Sequence, residues 1–210
     1  YPDILCYFLL LLTFINKERT NAPYIFFFLA LLTKETAIFT ALFFLAIKNI
    51  SKIKIILSCL FYLPLYLFLN TGDYDLNHYL VPLQSDIMHW FNQSKPYLFT
   101  GYFSSIKFLW IIVILYILRD FRNSYPIILL ILGISLQFML GGDTTRFVSF
   151  MFLGLIFVVE KLKLDKFLFL NIFILFLNII TVKYYVFAYG EMIILNESRI
   201  SFLNFFEIFK

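Results

Sequence analysis

The chain reads as apolar runs separated by short polar stretches. Eight runs stand out, at 4–14, 22–32, 36–47, 53–69, 106–118, 125–140, 147–159 and 167–188. None alternates apolar and polar residues with the period of two that a barrel wall requires, so each is expected to be helical. Only the fourth, sixth and last approach the roughly 20 residues of a straight membrane span; the others would need an added turn or a thinned bilayer. Backbone groups in lipid must be satisfied within the chain, which again selects helices. The expected fold is therefore all-α. It is a polytopic transmembrane helical bundle of about eight spans, forming a single domain over 1–210 with one larger extracytoplasmic loop at about 70–105.

The polar stretches sharpen this expectation. Lys17 and Arg19, then Lys48, Lys52 and Lys54, then Arg119 and Arg122, then Lys161, Lys163 and Lys166 fall in four short turns. Those turns hold ten of the 17 Lys and Arg residues, and they alternate with the other connections. The positive-inside rule assigns them to the cytoplasm. Segments 33–35, 70–105 and 141–146 and the tail from 189 then share the opposite side. The implied localisation is a multi-pass protein of a bacterial or archaeal plasma membrane.

Composition agrees. Hydrophobic residues make up 62% and charged residues 14%, against about 45–50% and about 25% in an ordinary soluble domain. The net charge of +4 forms no basic stripe apart from the turns, so no nucleic-acid partner is expected. Cys6 and Cys59 lie inside apolar runs and read as small core residues. The chain opens on Tyr-Pro-Asp and shows no signal peptide, so it is read as a fragment lacking an N-terminal portion.

Three groups of residues could carry chemistry. Lys34 and Glu35 interrupt a stretch that is otherwise apolar from 22 to 47, where charges are costly. A Lys there can hold a phosphate as a compact point charge, while a plain hairpin tip is the competing reading. In the run Gly141-Gly142-Asp143-Thr144-Thr145-Arg146, Asp143 suits a helix N-cap. Arg146 suits phosphate or an internal ion pair. The long loop holds His78, Asp86 and His89 among aromatics, and the stretch 81–91 could lie flat on a surface. Two histidines make no metal site without a third ligand at convincing spacing. Glu35, Asp143, Asp86 and His89 are thus the catalytic candidates. Lys34, Arg146 and His78 are the candidates for binding phosphate or substrate. Asn171 and Asn178, seven apart in the last run, suit hydrogen bonds between helices.

The run Leu31-Leu32-Thr33-Lys34-Glu35-Thr36-Ala37 resembles a step found in the type C membrane glycosyltransferases. That group includes the protein mannosyltransferases and the aminoarabinose transferases. The resemblance covers about the first 50 residues; beyond them it is one of architecture only. It implies a polyprenyl-phosphate sugar as donor and a protein, lipid or glycan as acceptor, with Lys34 near the phosphate of the lipid carrier. It also implies a carboxylate base in a first outer loop, which would lie upstream of Tyr1. No cofactor motif is evident, and a role for a divalent metal stays open. Membrane lipid is a further expected partner. The alternatives are a membrane polysaccharide polymerase or ligase, and a transporter. The first would favour an Arg-rich outer loop; the second would need mid-span charges or paired repeats, of which the sequence shows few or none.

Overall fold

A computed structural model describes residues 2–69, 102–103, 105–137, 148–162, 168–181, 184–186 and 192–194. Its α-helices follow the apolar runs: α1 Pro2–Ile15, α2 Ala22–Thr33, α3 Ala41–Ala46, α4 Lys52–Leu69, α5 Trp110–Arg119, α6 Tyr125–Gln137, α7 Met151–Leu162 and α8 Leu168–Ile180. Short 3-10 segments occupy Glu35–Thr40, Lys107–Leu109 and Phe121–Asn123. Two short strands, β1 Tyr184–Val186 and β2 Met192–Ile194, pair antiparallel with Tyr184 opposite Ile194.

The expectation of a polytopic transmembrane bundle is overturned. Among the described residues no helix is long and apolar enough to cross a membrane. The reason lies in how the runs are cut. The third run is divided between a 3-10 segment and the six-residue α3. The last run stops being helical at Ile180, with β1 beginning at Tyr184. The longest helix among the described residues, α4, carries Lys52 and Lys54 in its first turn. The part after Lys54 rises only about 23 Å at about 1.5 Å per residue, short of the ~30 Å of a bilayer core. The assignment to a plasma membrane as a multi-pass protein falls with the spans, as does the inside–outside reading of the basic turns.

The chain divides into two compact units, one of 1–84 with 122–137, the other of 85–121 with 138–210. In the first, α1 packs along α2, α2 against α4, and α3 against α6. Its core is aromatic. Phe27 meets Phe44 edge-on at 5.4 Å, Phe43 meets Phe44 at 5.3 Å, and Phe14 meets Phe43 at 6.0 Å between ring centroids. The helix α6 passes so close to the 3-10 segment that a Cβ on Gly133 would lie 2.2 Å from the carbonyl oxygen of Phe39. Only glycine allows that approach.

The basic turns of this unit mark one end of a bundle. Lys54 donates to Thr20 O at 3.0 Å and to Asn21 Oδ1 at 2.9 Å. The backbone N–H of Ser51 donates to the Tyr24 hydroxyl at 2.7 Å. Asp3 and Lys34 pair at the other end. Within this unit the basic stretches at 16–21 and 48–54 thus report antiparallel packing, the second returning to the end where the first turned.

In the second unit α5 packs against α7, with Tyr116 edge-on to Phe157 at 6.0 Å. Lys107 is buried, with a positive φ of 46°. Its ammonium donates to the carbonyls of Asn178, at 2.8 Å, and Thr181, where α8 ends. A cation at that position satisfies carbonyls that have no partner within the helix and complements the helix dipole. Asn178, expected to bond between helices, donates instead to Ile174 O of its own helix at 2.8 Å.

Candidate functional site

Helix α2 ends at Thr33, whose hydroxyl donates back to Leu29 O at 2.6 Å. Lys34 then turns extended, with φ −157° and ψ 122°. Its own N–H still reaches Ala30 O at 3.0 Å, closing the helix. Its carbonyl accepts from Ala37 N at 3.0 Å and opens the 3-10 segment. A single extended residue between two helical segments throws the Lys34 side chain toward the start of α1. There it forms an ion pair and hydrogen bond with Asp3. Lys34 is 12% exposed and Asp3 25%, so the pair is screened less than a surface pair would be.

Other groups gather around this pair. Cys6, one turn from Asp3 along α1, is fully buried. Its thiol is pushed up from 9.0 to about 12, first by burial; the Lys34 charge opposes the rise, while Asp3 and Glu35 add to it. Tyr62 on α4 is also shifted upward, by burial first, then by Glu35 and Tyr66. The rings of Tyr62 and Tyr66 lie 5.6 Å apart. One ammonium, two carboxylates, a thiol and a phenol therefore share one end of the first unit.

From the far side of the sequence, Gln137 closes α6 and donates its amide to Thr36 O at 3.0 Å. Gln137 is fully buried. Its Oε1 and the Thr36 hydroxyl have no hydrogen-bond partner among the described residues.

Of the residues singled out in the sequence, Lys34 and Glu35 stand in this cluster, with Glu35 exposed. His78, Asp86, His89, Asp143 and Arg146 lie outside the described residues. Asp3, which pairs with Lys34, is not among the residues that the sequence singles out. A signal for it existed. In a hairpin turning near residues 16–21, the first residues of α1 stand level with the last of α2. Among the described residues no group of three or more His, Cys, Asp or Glu side chains is placed to hold a metal ion. The cluster can bind an anion at Lys34 and accept a proton at a carboxylate.

Comparison with protein-family models, with curated proteins and with solved structures found no match.

Proposed function

We propose that the chain is a glycosyltransferase acting on a polyprenyl-phosphate-linked sugar, with Lys34 as the group that receives the phosphate. The observation that carries this reading is the ion pair of Lys34 with Asp3, beside Glu35 and at the rim of a buried corner. The likeness of Leu31–Ala37 to the type C glycosyltransferases supports it. Large apolar side chains exposed on α1 of the same unit, among them Ile4, Leu5 and Phe8, suit a substrate with a long isoprenoid tail.

The chemistry follows from the groups present. The acceptor hydroxyl attacks the anomeric carbon of the sugar. The bond from that carbon to the phosphate oxygen breaks, and the phosphate leaves with the electron pair. A fixed ammonium stabilises the charge that develops there. Lys34 has three N–H donors, and Asp3 takes one of them. Asp3 thereby holds Lys34 in place with donors left for phosphate. The proton released by the acceptor passes to a carboxylate, for which Asp3 and Glu35 are the candidates.

The test is binding of polyprenyl phosphate, compared with the uncharged polyprenol, to the purified chain. Polyprenyl phosphate should bind more tightly, and Lys34→Ala should remove that preference, a loss of about tenfold to a hundredfold in affinity. Equal binding of the two lipids, or a preference that survives Lys34→Ala, overturns the proposal.

A further inference from the structure

The end of the first unit away from Lys34 carries a second feature, which the transferase reading does not use. An open groove of about 770 Å³ runs between α2 and α4. That volume falls within the range of small-molecule sites. Its walls are apolar along most of their length, formed by Ile25, Leu29, Leu57, Phe61 and their neighbours. These four side chains stand 41–67% exposed, so the groove is a free surface in this chain.

One end of the groove is different. Asn21, Tyr24 and Lys54 line it. The Lys54 ammonium donates to Thr20 O and Asn21 Oδ1 and lies 4.9 Å from the centre of the Tyr24 ring. Asn21 sits at the N-cap of α2 but makes no capping bond with its side chain; its Oδ1 faces Lys54 instead. Lys54 is thus fixed by two neutral acceptors and an aromatic face. Among the described residues no carboxylate pairs with it. Of its three donors one is uncommitted. The two turns that meet here also carry Lys17, Arg19, Lys48 and Lys52. The one carboxylate in these turns, Glu18, faces Asn49 Nδ2 at 3.5 Å.

We infer that this groove binds an anionic phospholipid, with an acyl chain along α2 and α4 and the headgroup phosphate at Lys54. A slot that is apolar along its length and cationic at one end matches a molecule built the same way. A wholly apolar partner helix would fill the long part of the groove and leave Lys54 without its counter-charge, whereas a phospholipid supplies both in one molecule.

The experiment is native mass spectrometry of the full chain in a nonionic detergent, titrated separately with phosphatidylglycerol, diacylglycerol and inorganic phosphate. Phosphatidylglycerol should bind at least about tenfold more tightly than diacylglycerol, the size expected for a charge-assisted bond. Lys54→Ala should abolish that difference, and Lys54→Arg should keep it. Leu57→Trp, placed in the exposed wall, should weaken the lipid and leave the fold intact by circular dichroism. Inorganic phosphate should not compete at concentrations similar to the lipid. Equal binding of the two lipids, displacement by phosphate alone, or a dimer or protein partner filling the groove in place of lipid would each overturn the inference. The groove would also take polyprenyl phosphate, so the Lys34→Ala comparison is made in the Lys54→Ala background, where binding that depends on Lys34 should persist; the two proposals then fail separately.

Discussion

Gln137 donates its side-chain amide to the backbone carbonyl of Thr36 at 3.0 Å, across 101 positions of sequence. This bond ties the end of α6 to the corner that carries Lys34. In Gln137→Leu the Thr36 carbonyl would lose its side-chain donor. An unmet buried group costs about 1–3 kcal/mol, so the midpoint of urea unfolding should fall with an unchanged slope. A variant as stable as the parent would show that this bond contributes nothing net.

Asp3→Asn keeps the shape of the partner of Lys34 and removes its charge. The hold on the ammonium should weaken, by about 1–2 kcal/mol for a half-buried charge-assisted bond. If Asp3 positions Lys34 for phosphate, polyprenyl phosphate binding should change while overall folding by circular dichroism does not. If Asp3 only neutralises Lys34, the affinity should rise. Either shift is read by the same lipid titration, and its sign separates the two roles.

Cys6 gives a pH signature. Its folded pKa is raised from 9.0 to about 12, and that of Cys59 to about 11, also by burial. For a thiol held neutral in the fold, the unfolded chain gives up its proton first as pH rises. The stability contribution is therefore complete below about pH 9 and declines between pH 9 and about 12. Unfolding midpoints measured across that interval should fall, and less steeply in Cys6→Ala than in a chain retaining Cys6. At pH 8 the folded Cys6 thiol should resist alkylation until denaturant is added.

Gly133→Ala would place a methyl carbon 2.2 Å from the Phe39 carbonyl oxygen, and backbone cannot move aside as a flexible side chain can. We expect a loss of about 1–3 kcal/mol from overpacking, measured by thermal unfolding. An alanine at Gly154, a buried glycine of α7, carries no such clash among the described residues and serves as the comparison.

Lys107→Met keeps much of the apolar stem and deletes the ammonium that caps α8. Two carbonyls at the helix end lose their donor. The expected cost is about 1–2 kcal/mol, and hydrogen exchange should quicken in the last turn of α8.

The sequence disclosed the helices more readily than their use. Run 4–14 lies within α1, and the described part of run 125–140 forms α6, because both follow an uninterrupted apolar pattern. The sequence reads these runs as membrane spans, yet apolarity reports what surrounds a helix without saying whether lipid or protein surrounds it. Length decides that, and the break at Lys34 with its 3-10 segment shortened the third run in a way no periodicity announces. Lys34 and Glu35 were legible as charges out of place. Asp3 required the hairpin geometry as well. Lys107 was beyond reach, since the carbonyls it caps lie 71 and 74 residues further along.

The 3-10 stretch Glu35–Thr40 acts as a phase-setter between two surfaces. It advances about 2.0 Å and turns about 120° with each residue, where an α-helix advances about 1.5 Å and turns about 100°. The azimuth at which Phe43 and Phe44 leave the chain is therefore counted out from Lys34, one residue at a time. Adding or deleting one residue in this stretch would swing both rings by about a third of a turn, out of the aromatic core, while Lys34 kept its hold on Asp3. Length there is under tighter constraint than chemical identity.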